Sequence, residues 1–158
     1  MTKQSLRGVT IALATDHAGY ELKEEIKYYL QSLGYRIKDF GTDSKKPSDY
    51  PDFIFKAARA VARSGGRVRG IVFGGSGIGE AIAANKVKGI RAAMVCNEYM
   101  ARVSREHNDS NVLSLGSRIL TPTLAKELVR IWLETPFSSD ERHVRRLRKI
   151  QTFERRNR

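Results

Sequence analysis

The sequence holds one cysteine, Cys96, in 158 residues, and no apolar run approaches the length needed to cross a membrane. A single cysteine cannot form an internal disulfide. That fits a reducing compartment, and a cytoplasmic protein without a membrane partner is expected. The apolar run at 9–14 is too short for a signal peptide and is followed at once by Asp16 and His17. The three histidines, His17, His107 and His143, and the lone cysteine show no metal-ligand spacing, so neither a metal nor another cofactor is expected. Asp43 and Asp49 form no paired-carboxylate motif, and no Walker lysine pattern is present. No internal repeat, low-complexity segment or interior linker divides the chain, so residues 1–158 read as a single domain. A chain of this length buries roughly 70% of its unfolded surface and needs no covalent or metal staple.

Acidic residues are scarce beside basic ones: 17 Asp and Glu against 29 Lys and Arg give a net charge of +12. The imbalance is local, because from Arg142 to the end there are eight basic residues and one acid, Glu154. Such a basic helix could meet nucleic acid, a phosphorylated substrate, or only water. Its last stretch, about 151–158, is expected to fray.

What is present is an alternation of strand and helix signals. Apolar, β-rich runs at 9–14, 35–40, 68–73, 90–95 and 112–115 alternate with segments of helical spacing, such as Leu22, Ile26 and Leu30. Pro51 and the pair Thr121-Pro122 mark helix starts, and Ser139-Asp140-Glu141 opens a C-terminal helix. Five short strands, each followed by a helix, predict an α/β protein: a single-domain, three-layer, Rossmann-like fold with a five-stranded parallel sheet flanked by helices.

In such sheets ligands bind beyond the carboxyl ends of the strands. The residues expected there are Asp16 and His17, then Asp49 and Tyr50, then the glycine-rich loop 74–80, then Cys96 and Asn97, and finally Ser117 and Arg118. The loop, Gly74-Gly75-Ser76-Gly77-Ile78-Gly79-Glu80, is not a dinucleotide fingerprint. Counted from Gly75, Gly-x-Gly-x-x-Gly would need glycine where Glu80 stands. It reads either as an anion cradle opening a short helix at 80–86, with Glu80 as a candidate base, or as a tight turn. Asp16-His17 and His107-Asn108 read equally as functional pairs or as helix caps. Arg142 and Arg146 share a helix face that could clamp a phosphate or simply be solvated. His107 ends the helix that leads into the fifth strand, so it lies near the opposite edge of its own sheet. If it is catalytic it serves a neighbouring subunit, which predicts an oligomer with shared sites.

Taken in order, these motifs resemble the ribose-5-phosphate isomerase B family, which also includes galactose-6-phosphate isomerase subunits. The resemblance runs through Asp16-His17-Ala18-Gly19, Asp49-Tyr50-Pro51-Asp52, Gly74 to Gly79, Ala83-Ala84-Asn85-Lys86 and Gly89-Ile90-Arg91-Ala92. It continues through Arg105-Glu106-His107-Asn108, Asn111-Val112-Leu113, Gly116-Ser117-Arg118, Thr135-Pro136-Phe137 and Arg142-His143-x-x-Arg146. One departure matters. Many members carry a catalytic cysteine where this chain has Gly74, whereas a second branch lacks it and uses a glutamate just after the loop, the position of Glu80.

The resemblance implies a metal-independent aldose–ketose isomerase that interconverts ribose 5-phosphate and ribulose 5-phosphate through an enediolate. Glu80 would be the proton-transfer base, with Ser76 and the amides of Gly75, Gly77 and Gly79 holding the developing anion. His107, acting with Asp16, would open the sugar ring. Arg118, Arg142 and Arg146, assisted by His17, would hold the phosphate, and Tyr50 and Asn108 the sugar hydroxyls. The partners implied are a small sugar phosphate and a second copy of the chain in a dimer or tetramer; nucleic acid is not expected. Another aldose phosphate, such as a 6-phosphohexose or a tetrose phosphate, is the alternative substrate, and a non-catalytic binding module is the alternative function.

Overall fold

The computed structural model describes residues 8–156. Five strands form one all-parallel sheet: β1 (Thr10–Thr15), β2 (Arg36–Asp39), β3 (Val68–Gly74), β4 (Ala92–Met94) and β5 (Val112–Gly116), in the order β2-β1-β3-β5-β4. Six helices accompany them: α1 (Tyr20–Ser32), α2 (Tyr50–Ala62), α3 (Ile78–Asn85), α4 (Glu98–Glu106), α5 (Pro122–Glu134) and α6 (Glu141–Arg156). The α/β three-layer architecture is the one the alternating pattern predicts.

The side-chain alternation of the central strands divides the core. Ile11, Leu13, Ile71, Phe73, Leu113 and Leu115 face one side, where they pack with Leu22, Ile26 and Leu30 of α1, Ala101 of α4 and the buried face of α5 around Trp132. Ala12, Ala14, Val72 and Val112 face the other, against Ile54, Ala57, Ala58 and Val61 of α2 and Ala83 and Ala84 of α3. Strands covered on both faces read as continuous apolar runs, which is why β1, β3 and β5 are plain in the sequence.

The edge strands are shorter than their apolar runs suggest. Of the run at 90–95 only Ala92–Met94 is strand, although bonds to β5 continue beside it: the Arg91 carbonyl accepts from Val112 N–H (3.4 Å) and Val95 N–H donates to the Ser114 carbonyl (3.2 Å). The side chain of Asn85 stands in on the open side: its Oδ1 accepts from Ala92 N–H (2.8 Å) and its Nδ2 donates to the Ala92 carbonyl (3.0 Å). This satisfies edge groups that would otherwise invite another strand. α3 starts two residues before Glu80, so Glu80 lies in its first turn instead of opening it. At the other end α6 continues to Arg156, through most of the stretch expected to fray; residues 157 and 158, like 1–7, lie outside the described residues.

The chain runs outward from β1 to β2 and then returns to β3 on the other side of β1. That reversal makes a crevice between the carboxyl ends of β1 and β3, where doubly wound sheets place their ligands.

Candidate active site

Two segments enter this crevice, one from each strand. After β1, Asp16 turns the chain into α1: its Oδ1 accepts from the N–H of Ala18 (2.9 Å) and of Gly19 (3.3 Å). After β3, the glycine loop turns into α3. Gly77 adopts φ +82° at the helix N-cap, a left-handed conformation open to glycine without strain. Its carbonyl accepts from Ser114 Oγ (2.6 Å), and the carbonyls of Gly74 and Gly75 accept from the N–H groups of Ser117 (2.8 Å) and Arg118 (3.0 Å). The loop is thus tied to the end of β5, which brings Arg118 alongside it.

The glycines let these pieces approach. A Cβ on Gly75 would lie 3.1 Å from Nη1 of Arg118, and one on Gly79 would lie 2.8 Å from Cζ of Tyr50 and 3.0 Å from its hydroxyl oxygen. A Cβ on Gly74 would overlap the carboxylate of Glu80, which folds back over the Gly74 Cα. Glu80 is 4% exposed. Burial raises its pKa above the usual carboxylate range, and the nearby Asp16 carboxylate pushes the same way, while the N–H groups of Glu80 itself and of Gly77 pull it down. Ser76 Oγ accepts from the N–H of Ile78 at 3.2 Å, which fixes the loop at that point.

His17 is held from the opposite wall. Its Nδ1 lies 3.1 Å from the Ser48 amide nitrogen and 3.2 Å from the Ser48 carbonyl oxygen. Ser48 has no sequence signal of its own, and its buried Oγ has no partner among the described residues. Asp16, His17, Tyr50, Ser76, Gly75, Gly77, Gly79, Glu80 and Arg118 therefore gather at one end of the sheet.

His107, Asn108, Arg142 and Arg146 do not join them. His107 is the C-cap of α4, at the amino end of the sheet. The central strands are five to seven residues long, so on the order of 15–20 Å of sheet separates the two ends. The expected pairing of His107 with Asp16 is thus not made within one chain. Instead the His107 ring stacks on that of His143, with centroids 4.3 Å apart. His143 is buried in the first turn of α6, flanked by Arg142 and on the same helix as Arg146, and its Nδ1 lies 2.8 Å from Ser138 Oγ. Burial, then the positive surroundings of His107 and Arg142, lower the His143 pKa.

The corner carrying His107 and Asn108 is clamped by residues to which sequence reading assigned no role. Asp109, at φ +45°, accepts from Arg105 Nη1 at Oδ1 (2.9 Å) and from Arg91 Nη2 at Oδ2 (3.0 Å). Arg91 Nε donates to the carbonyls of Asn108 and Asp109. The i, i+4 spacing of Arg105 and Asp109 was the available signal. Among the described residues no group of three or more His, Cys, Asp or Glu side chains could hold a metal ion, and no helix is long and apolar enough to cross a membrane.

The family model described as Ribose/Galactose Isomerase matches residues 11–150. The solved structure of ribose-5-phosphate isomerase B from Clostridium thermocellum superimposes with a TM-score of 0.91 at 49% identity, covering 95% of this chain and 100% of that one. Ribose-5-phosphate isomerase B of Escherichia coli is 44% identical over 147 residues, 92% of this chain and 97% of that protein. The D-erythrulose-4-phosphate isomerase of Pectobacterium atrosepticum is 40% identical over 130 residues, 82% of this chain and 85% of that protein.

Proposed function

The chain belongs to the ribose/galactose isomerase family, and from that footing we propose that it interconverts ribose 5-phosphate and ribulose 5-phosphate with Glu80 as the proton-transfer base. The observation that carries this reading is the buried Glu80 carboxylate lying over Gly74, in the space that a cysteine at that position would need.

Isomerisation moves a proton from C2 to C1 and a second proton between the two oxygens. Glu80 takes the C2 proton and returns it at C1. Its raised pKa suits it to the task, because a base works best when its pKa approaches the working pH. The enediolate oxygen is stabilised by amides of the loop from Gly75 to Gly79, with Ser76. Donors of this kind are each worth about 3–4 kcal/mol of barrier. Arg118 over Gly75, with His17, supplies one side of the phosphate site. Arginine suits this role because its planar fork matches phosphate oxygens. Tyr50, against Gly79, holds sugar hydroxyls.

Ring opening by His107, the phosphate contacts of Arg142 and Arg146, and the hydroxyl contact of Asn108 come from a second copy of the chain. The separation of the two clusters within one chain supports this arrangement, since neither cluster holds the full set. The more than half-exposed Ile78, Ile82, Ile119 and Ile150 offer apolar surface for the contact. The C. thermocellum and E. coli relatives favour a pentose phosphate, and the 40% identical erythrulose-phosphate enzyme favours testing a tetrose phosphate beside it.

The test is turnover of Glu80→Gln on C4, C5 and C6 aldose phosphates. The pentose phosphate should be the best substrate of the parent enzyme, and Glu80→Gln should lose orders of magnitude in kcat while still binding it. Near-parental turnover would remove Glu80 as the base.

A further inference from the structure

A cavity of about 300 Å³ opens at the amino end of the sheet, among Arg69 at the start of β3, Gly89 and Arg91 before β4, and Arg105, Asp109 and Asn111 around the start of β5. We propose that it binds a small dianion of the phosphate or phosphomonoester class, at a site distinct from Arg118, Arg142 and Arg146.

Charge is the first argument. Three guanidinium groups line the cavity, and the one carboxylate among the lining residues, Asp109, pairs with two of them. One negative charge against three leaves two positive charges uncompensated, the complement of a dianion. Arg69 is the group left over: among the described residues it makes no ion pair with a carboxylate, and its Nη1 donates to the Leu133 carbonyl at 3.2 Å. A half-buried cation whose nearby carboxylate, Asp109, is already paired to two other arginines is costly, and an anion entering the cavity relieves that cost.

The second argument is the company Arg69 keeps. Its guanidinium lies 5.6 Å from the Trp132 ring centroid, and that of Arg105 lies 5.9 Å from the same centroid. Two like charges are thus gathered on one buried indole. Burial, and after it the charge of Arg105, bring the Arg69 pKa down to about 10 against the weaker opposing pull of Asp109 and Tyr35.

The third argument is the supply of donors. The bonds that fix Arg91 use Nε and Nη2, and those that fix Arg105 use Nε and Nη1. Arg91 Nη1, Arg105 Nη2, and Nε and Nη2 of Arg69 have no hydrogen-bond partner among the described residues. Arg91 and Arg105 are locked in position by Asp109, so they form a rigid wall and lose little side-chain freedom on binding. Planar forks held in this way suit the several oxygens of a phosphate group.

The probe is inorganic phosphate, titrated by calorimetry into the full-length protein and into Arg69→Met, which keeps an apolar stem against Trp132 and removes the charge. The parent protein is expected to show two classes of phosphate site. Arg69→Met should weaken one of them about tenfold or more, the loss of a charged hydrogen-bonding partner. It should leave turnover of ribose 5-phosphate and competitive inhibition by phosphate unchanged. Arg118→Ala should remove the other class. A single class in the parent that disappears in Arg118→Ala overturns the proposal, as does a titration of Arg69→Met that superimposes on the parent. Crystals of the parent protein soaked in tungstate give a readout that needs no variant. Anomalous density beside Arg69, Arg91 and Arg105 is expected, and its absence also overturns the proposal.

Discussion

Gly74 and Glu80 exclude each other's larger forms: a Cβ at position 74 would overlap both carboxylate oxygens of Glu80, so this carboxylate can lie where it does only because residue 74 is glycine. Any side chain at position 74 would claim space that the Glu80 carboxylate now fills.

Gly74→Ala is therefore expected to fold, since the displaced atoms are the end of a flexible side chain, but to push the carboxylate out of position. Misplacement by about 1 Å at a reacting centre costs on the order of a hundredfold in rate. The thermal midpoint should stay close to that of the parent while kcat falls by that order. Adding Gly74→Cys to Glu80→Ala places a thiol in the vacated space and should recover turnover above Glu80→Ala alone.

Glu80 links activity to stability through pH. Its folded pKa is raised above the unfolded value of 4.5, so the folded state binds more protons than the unfolded state between the two values. Its contribution to stability is fully present below the unfolded pKa and is lost as pH rises through the folded pKa. Glu80→Gln, which is neutral throughout, should melt higher than the parent at pH 8, with the gap closing as the pH drops toward 4. The acid limb of the parent's pH–rate profile should lie above the ordinary carboxylate range.

The proposed sharing of sites between two copies is open to a complementation test. Glu80→Gln and His107→Ala chains should each be nearly inactive alone. Mixed randomly into two-fold symmetric dimers, half the molecules carry one wholly parental site, so about a quarter of parental activity should return. No recovery on mixing, in dimers shown to exchange, would overturn the pairing of His107 of one copy with Glu80 of another. His107→Ala alone should impair a cyclic substrate far more than an acyclic analogue.

Lys23 and Asp39 form a buried ion pair at 2.6 Å, and Lys27 also reaches Asp39 at 2.9 Å. Burial pushes the Asp39 carboxyl upward, but the two ammonium groups and the Gly41 N–H outweigh it and hold it below its ordinary value. Asp39 thus contributes stability above its unfolded pKa of 3.8, and that contribution is lost as pH falls through the lower folded value. Asp39→Ala removes the shorter of the two carboxylate contacts of the buried Lys23, leaving Glu24 at 3.1 Å, and should cost about 1.5–3 kcal/mol in denaturant unfolding at pH 7. Lys23→Met replaces the charge by an apolar group of similar length, leaves Asp39 paired to Lys27, and should cost much less.

The sequence by itself determined the layered architecture and the residues at the carboxyl end of the sheet. Buried central strands and amphipathic helices each leave a local periodicity, and loops that follow strands in a parallel sheet all emerge at one edge. It also determined that His107 could not share a site with Asp16 in one chain, since helix direction follows from strand order. Tertiary structure alone decided the rest. The covering of the open side of β4 depends on Asn85, which comes from another element. The fit of Glu80 over Gly74, the hold of Ser48 on His17, the stacking of His107 on His143 and the arginine wall around Asp109 depend on contacts between segments. A contact of that kind has no period in the chain, because it is set by which side chains meet once the sheet has closed.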